Sequence, residues 1–180
     1  MTYQPQGISQ YQFAKTRFVF DDSIFPFFGL RHYGPGNPDT LRLLYQVRKP
    51  VTDYASKHGK KVVMIYDIEQ MQVPDAVSRK GVAEIAKVAE TSPGFATTIV
   101  IVPNPLLRGV VTALAWMGVT ALTSASSTQD AIRQGSRLLN DDSIEVDQYY
   151  QLPEWDDKRE IINIKPSDVV WTVDDVFKVV

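Results

Sequence analysis

Cysteine is absent from the 180 residues of this chain. Its absence excludes a disulfide framework, a thiol nucleophile and a thiolate metal site, and it favours an intracellular protein. Histidine is scarce: His32 and His58 are the only two, and neither has an acid or a second histidine at metal-ligand spacing. We therefore expect neither a metal ion nor another cofactor.

No apolar run in the sequence is long enough to cross a membrane. The longest one, residues 110–117, is interrupted by Thr112 and falls far short of the ~20 residues that a transmembrane helix needs. Residues 1–15 lack the basic segment followed by an apolar segment that marks a secretory signal peptide. The sequence therefore predicts a cytoplasmic protein without a transmembrane segment.

The net charge of −2 hides an uneven distribution of charge. Residues 1–140 contain 15 Lys and Arg against 10 Asp and Glu, whereas residues 141–180 contain 4 against 11. The cations are dispersed and do not alternate with aromatic side chains, as they do in many nucleic-acid-binding surfaces. We therefore expect no nucleic-acid partner, while the acidic end can lie against the basic part of the chain.

The first third of the sequence predicts a β-hairpin followed by a helix. Two apolar runs, residues 17–20 and 25–33, flank a short polar turn. Asp39 or Thr40 can cap a helix whose apolar residues keep helical spacing as far as Gly59.

Three more strands alternate with three more helices in the middle of the chain. Residues 61–68 contain a continuous apolar run, which is typical of a central strand covered on both faces. The other predicted elements are a helix after Pro74-Asp75, a strand at 97–102, a helix from Asn104-Pro105, a strand at 120–124 and a helix at 128–139. This order predicts an α/β fold, in which helices pack on a mixed, mostly parallel sheet.

Beyond residue 140 the pattern weakens. Residues 147–152, 160–164 and 169–173 are short strands or extended arms, and five aromatic side chains lie in this acidic segment. We expect the segment to dock onto the body of the protein or onto a neighbouring subunit. The predicted organisation is an N-terminal arm (1–15), an α/β domain (16–140) and an acidic C-terminal extension (141–180).

The β-β-α-β-α-β-α layout of residues 16–140 resembles the STAS domain, the fold of anti-sigma-factor antagonists, and the related SEC14-like architecture of lipid-binding proteins. In the antagonists a central strand ends in an apolar-Asp-apolar step, and a second Asp precedes a phosphorylatable Ser or Thr at a helix start. Tyr66-Asp67-Ile68 matches the step, and Asp75 matches the second Asp. Residues 106–116 also look like the third helix of uncharacterised bacterial STAS-like proteins. The resemblance implies a regulatory protein that binds other proteins.

The phosphoacceptor of that family is missing from this sequence. Asp75 is followed by Ala76-Val77, and the nearest hydroxyl, on Ser78, lies two positions further into the helix. The family's switch requires a hydroxyl at the helix N-terminus, where free N–H groups and the helix dipole receive the phosphate. A phosphorylation cycle of that kind is therefore not expected here.

Asp67 and Asp75 each have two interpretations. Asp67 follows a predicted central strand at the edge where open α/β sheets bind ligands, and it can equally accept hydrogen bonds from the next loop. Asp75 can contact a partner, or it can cap the second helix.

The third helix is apolar nearly all round, with Arg108 and Thr112 as its only strongly polar side chains. Such a helix must be buried on most sides or expose an apolar patch, and exposed patches usually mark interfaces. The alternative is full packing between sheet and tail, with Arg108 extending to the solvent. The sequence leaves both open.

Residues 31–38 combine Arg31, His32 and a Gly-Pro-rich turn before a helix start, so they could receive an anion. A plain hairpin-to-helix loop explains the same residues, because the Lys-Ser/Thr of a phosphate-binding loop is absent. No Gly-x-Ser-x-Gly elbow is present either, and we expect no enzyme.

Three functional hypotheses follow. The first is a non-catalytic STAS-like module that binds a protein partner or self-associates, with these contact residues: Asp67, Asp75, Ser78, Arg79, Arg108, Thr112 and Trp116. The second is a SEC14-like carrier of a lipid or small molecule, whose cavity of several hundred Å³ is lined by Phe25, Phe27, Phe28, Leu107 and Trp116. The third is an enzyme, which requires polar groups to converge near Asp67, Arg31 and His32.

Overall fold

The computed structural model describes residues 7–102, 105–140, 144, 146–165 and 167. Seven strands and four helices lie within these residues. In chain order they are β1 (Ile8–Phe13), β2 (Thr16–Asp21), β3 (Phe27–Pro35), α1 (Pro38–Lys57), β4 (Val62–Gln72), α2 (Ala76–Ala89), β5 (Phe95–Ile101), α3 (Pro105–Trp116), β6 (Leu122–Ala125), α4 (Thr128–Leu139) and β7 (Ile161–Ile164).

All seven strands belong to one sheet in the order β6-β5-β4-β3-β2-β1-β7. The pairs β1–β2 and β2–β3 are antiparallel. The other four pairs are parallel. The predicted α/β fold with a mixed, mostly parallel sheet is therefore confirmed.

The two faces of the sheet are covered by different elements. On one face, Phe28, Leu30 and Met64 pack against Leu43 and Leu44 of α1, with α2 and α3 beside them. We call it the three-helix face. On the other face, Phe27, Val63 and Ile65 pack against Ala131 of α4 and against Leu152. We call this one the tail face, because residues beyond α4 cover part of it.

The predicted hairpin and helices are present, with shifted ends. The helix α1 begins at an Asn37 cap, not at Asp39 or Thr40: Asn37 Oδ1 accepts the Thr40 N–H at 3.0 Å, and Thr40 Oγ1 accepts the Asn37 N–H at 2.9 Å. The strand β4 extends to Gln72, because its last residues pair with Gly34 and Pro35 of β3. Within the described residues, no helix combines the length and the apolar character that a bilayer span requires.

The largest differences from the sequence expectations lie at the two ends of the chain. Residues 8–13, which were assigned to an N-terminal arm, form a strand that pairs with β2. Residues 147–152 are not a strand, whereas residues 161–164 pair in parallel with β1. The predicted element at 169–173 lies outside the described residues. The division into an arm, a domain and an extension remains a prediction.

Candidate functional site

Arg31 and Asp67 form an ion pair on the tail face. They are register partners on β3 and β4, and Arg31 Nε lies 3.0 Å from Asp67 Oδ2. The other carboxylate oxygen of Asp67 accepts the Glu69 N–H at 2.9 Å, so this residue makes the loop contact that the sequence allowed. Arg31 Nη1 also lies 3.3 Å from Glu154 Oε1 in the tail.

His32 points to the opposite face of the sheet, because consecutive side chains on a strand alternate. Its Nε2–H donates to the Pro35 carbonyl at 3.1 Å, which leaves Nδ1 to accept the Tyr66 hydroxyl at 2.6 Å. Burial lowers the pKa of His32 to about 4, so the ring is neutral at pH 7. Arg31 and His32 therefore do not face one common anion, and His32 does not converge with the Arg31–Asp67 pair as the enzyme hypothesis requires. Among the described residues, no cluster of three or more His, Asp or Glu could hold a metal ion.

The tail is held on its face by specific contacts within the same chain. The Tyr150 hydroxyl donates to Asp21 Oδ2 at 2.8 Å, and burial, together with the Asp21 charge, raises the pKa of Tyr150. Leu152 is 2% exposed and lies above Gly29, where an added Cβ would approach Leu152 Cδ2 to 2.5 Å. Residues 146–165 therefore dock onto the body of their own chain, which is one of the two arrangements that the sequence predicted.

The end of the docked segment is also anchored. The Trp155 N–H donates to the Tyr33 hydroxyl at 3.1 Å, and the Arg17 guanidinium lies 4.9 Å from the Trp155 ring. Gln10 exchanges two hydrogen bonds with the Asp156 backbone, at 2.9 and 2.7 Å. These polar contacts explain why an acidic, aromatic segment packs on the sheet.

An apolar cavity of about 90 Å³ lies between the sheet and the helices of the three-helix face. Residues from all three helices, among them Leu41, Val82 and Leu114, line it together with His32 and Tyr66 of the sheet. The volume is well below the several hundred Å³ expected for a lipid carrier.

The residues predicted to line a carrier pocket lie elsewhere. Phe27 packs on the tail face, and Phe28 is fully buried in the core of the three-helix face. Phe25 packs edge-on against Tyr54, and Trp116 points to the solvent. The side chain of Leu107 lies outside the described part of the structure. The structure therefore does not bring Phe25, Phe27, Phe28 and Trp116 together around one pocket.

The polar candidates at the start of α2 bond to their own segment. Asp75 Oδ1 accepts the Ser78 N–H at 2.7 Å, and this backbone hydrogen bond lowers the pKa of Asp75. Arg79 donates to the Pro74 carbonyl at 2.9 Å. Asp75 thus makes the capping contact that the sequence allowed.

Among the described side chains of α3, some are buried and others face the solvent. Val111 is 8% exposed, whereas Trp116 is 86% exposed. Arg108 and Thr112 are also exposed, and the Thr112 hydroxyl donates to the Arg108 carbonyl at 3.0 Å. On α2, Val77 is 84% exposed. One side of α3 is therefore exposed, with Trp116 as a large apolar side chain in the solvent, and the helix is not fully packed between sheet and tail.

We define the α2–α3 surface by exposed residues of the two helices: Val77, Lys80, Lys87, Arg108, Thr112 and Trp116. The helices are in contact, since Ala83 and Ala86 of α2 pack against Val119, just beyond α3. Lys87 lies beside the turn that ends α3, because a Cβ added to Gly118 would approach Lys87 Cε to 3.2 Å.

Sequence reasoning did not identify the cavity walls or the docking residues. The sequence predicts that the acidic segment beyond residue 140 docks, but it does not single out Tyr150 and Leu152 within that segment. Asn37 and Met71, which line the cavity, carried no local signal that separates a cavity wall from an ordinary loop. The proline-rich turn before α1 is the sequence feature that lies closest to the cavity wall, since it contains Gly36 and Asn37.

No family model matches this sequence, and no curated protein matches it. Two solved structures are similar in fold. One is the anti-sigma factor antagonist SpoIIAA in its unphosphorylated form, with 15% identity over 67% of this chain and 97% of that chain, at a TM-score of 0.43. The other is an uncharacterised protein of the DUF3478 family with a SpoIIAA-like fold from Shewanella loihica PV-4, with 13% identity over 74% of this chain and 98% of that chain, at a TM-score of 0.42. Both are similarities of fold alone.

Proposed function

We propose that this chain is a non-catalytic regulatory module that binds a partner protein through the α2–α3 surface. The exposure of Trp116 supports this proposal most directly. An indole that is 86% exposed leaves a large apolar area in water, and tryptophan is among the residues most enriched at the energetic centres of interfaces.

The charge of the α2–α3 surface defines the kind of partner. Lys80, Lys87 and Arg108 are exposed, and Glu84 is the exposed acid between the two lysines on α2. Complementary charge increases association rates and disfavours wrong partners. The partner that fits is a protein with an acidic surface around an apolar pocket for the indole.

The arrangement of the polar residues supports a role without catalysis. Arg31 and Asp67 pair with each other under the tail, while His32 is neutral on the other face of the sheet. General acid–base chemistry requires such groups within hydrogen-bond reach of one substrate. The lipid-carrier alternative has no comparable support, because the cavity of about 90 Å³ is too small for an acyl chain.

Site-specific photo-crosslinking tests the proposal. A photoreactive phenylalanine derivative replaces Trp116 in the full chain, and the same derivative replaces Tyr149 as a control. Tyr149 is a similarly exposed aromatic residue, 77% exposed, but it lies in the tail. We expect a discrete protein adduct at position 116 and none at position 149.

The positive charge of the α2–α3 surface is tested separately. The double substitution Lys80→Glu and Lys87→Glu should remove the adduct at 116, and Trp116→Ala should weaken binding of the identified partner by at least about tenfold. Equal adducts at both positions, or an adduct that survives charge reversal, would contradict the proposal. An adduct between two copies of this chain would identify the partner as a second copy.

A further inference from the structure

The cavity on the three-helix face is lined mainly by apolar side chains. Protein interiors contain few voids larger than a water molecule, yet about 90 Å³ is open here. Aliphatic side chains contribute most of the wall. They include Leu41, Met64, Ile68, Val100, Val111 and Leu114. Apolar voids of this kind stay free of water and can take up apolar molecules.

Polar groups of the wall already have partners. His32 is bonded to Tyr66 and to the Pro35 carbonyl. Glu90 is the only carboxylate among the described lining residues, and its two oxygens accept the Ala121 N–H at 2.6 Å and the Thr120 hydroxyl at 3.0 Å. A charged ligand would lose its hydration in this cavity, and the bonds that His32 and Glu90 already make do not replace it.

A ligand can enter the cavity at its rim, beside Gly36 and Met71. Gly36 and Met71 both line it and are half-buried. Met71 closes over Gly36, since a Cβ added to Gly36 would approach Met71 Sδ to 2.9 Å. The methionine side chain is flexible and adapts to irregular gaps, so it can move aside without a backbone change.

From these observations we infer that the cavity is a binding site for a small, uncharged, apolar ligand. Benzene, with six non-hydrogen atoms, occupies a cavity of about 150 Å³, so a ligand here has at most about six such atoms. A short alkyl chain has the right size and chemistry. This inference is independent of the α2–α3 surface and of any protein partner.

Methionine methyl signals test the inference in the intact chain. Met64 and Met71 line the cavity, whereas Met117 packs beside α2 and does not line it. The chain is labelled with ¹³C at the methionine methyl groups and titrated with 1-butanol. We expect saturable shifts of the Met64 and Met71 signals and no saturable shift of the Met117 signal. Butylammonium, the same chain with a charge, should bind at least about tenfold more weakly.

Filling the cavity provides the matched comparison. Val111→Phe places a ring in the cavity and should abolish the saturable shifts, while Leu138→Phe adds a ring at an exposed position of α4 and should leave them unchanged. Ala86→Leu, also on the cavity wall, serves if Val111→Phe does not fold. The inference is overturned if 1-butanol gives no saturable shift, if Met117 shifts equally, if butylammonium binds as well, or if the shifts survive in a folded filled variant.

Discussion

His32 is enclosed in the core, with only 1% of its surface exposed. The groups that face it are the Tyr66 hydroxyl, the Phe18 ring and the Pro35 carbonyl, and none of them titrates in mildly acidic solution. Burial lowers its pKa from 6.5 to about 4, because the charged imidazolium would lose its hydration. A neutral histidine is therefore part of the native packing.

This burial predicts an acid-sensitive native state. Above pH 6.5 the ring is neutral in both states and contributes no pH dependence. Below pH 6.5 the unfolded chain binds a proton that the folded chain does not, so stability is lost until the pH reaches about 4. We expect the free energy of unfolding, measured by urea denaturation, to fall by about 2 kcal/mol between pH 6.5 and pH 5.

The two histidines provide a matched pair for this measurement. His32→Gln removes the titrating group and should remove the decrease between pH 6.5 and pH 5. His58→Gln changes the other histidine, which is exposed at the end of α1, and should retain the decrease. A decrease of equal size in both variants would show that other groups cause it.

The sequence predicted which side chains are unusual at this place, but not how they are arranged. The sequence places Arg31 and His32 both at the end of a predicted strand, residues 25–33, and in the turn-rich segment 31–38. The strand β3 in fact continues to Pro35, since β4 pairs with it over its full length. Two consecutive strand residues face opposite sides of a sheet, so the long-range pairing separates them.

At the level of elements, residues 146–165 complete the sheet and its tail face. The strand β7 pairs with β1, and Leu152 fills the space above Gly29. Removing these residues uncovers the part of the tail face around Gly29, over which Leu152 and Tyr150 lie. It also frees the edge of β1, and free sheet edges promote association.

Truncation after Asn140 should therefore make the protein associate. We expect the shortened chain to show a mass that rises with concentration in light scattering and a lower free energy of unfolding than the full chain. Leu152→Asp in the full chain should have a similar but smaller effect, because burying a charge above Gly29 disfavours docking. Leu138→Asp, at a position that is already 57% exposed, is the control.

A shortened chain that keeps the mass and stability of the full chain would contradict this account. A full-length dimer that becomes a monomer on truncation would instead make the tail an assembly element.

Element by element, local signals succeeded where one pattern dominated. The continuous apolar run in β4 and the helical spacing of apolar residues in α1 gave elements close to those observed. The strand β1 was missed because its sequence, ISQYQF, is largely polar and gains its strand form from pairing with β2 and β7. Short edge strands of this kind depend on tertiary contacts that no local pattern records.

Across the whole molecule, packing is uneven. The strands β3, β4 and β5 are covered on both faces, whereas β6 and β7 form the two ends of the sheet and have exposed residues. The helix α1 buries residues along its full length, such as Leu43, Val51 and Ala55. The helix α2 has fewer buried side chains, such as Ala83 and Ile85, and its Val82 and Ala86 lie in the cavity wall that it shares with α1 and α3.

This unevenness predicts a ranking of local stability. Backbone amides in β4 should exchange with solvent only on global unfolding, and those in β6 and β7 should exchange fastest among the strands. Amides of α2 should exchange faster than those of α1, because α2 buries fewer side chains while it borders the same cavity. An unfilled cavity of about 90 Å³ costs up to about 2 kcal/mol at ~24 cal/mol per Å³. Hydrogen exchange followed by mass spectrometry measures this ranking.

A variant that fills the cavity distinguishes the effect of the cavity on amide exchange in α2 from the effect of helix propensity. Ala86→Leu keeps a strong helix former and adds apolar volume to the cavity, so it should slow exchange in α2 and leave α4 unchanged. Leu138→Phe, on the exposed side of α4, should change neither helix. If Ala86→Leu folds and exchange in α2 is not slowed, the cavity is not what weakens this helix. The local stability of α2 would then be set by its contacts with α1, where a Cβ added to Gly81 would approach Pro38 Cγ to 2.7 Å.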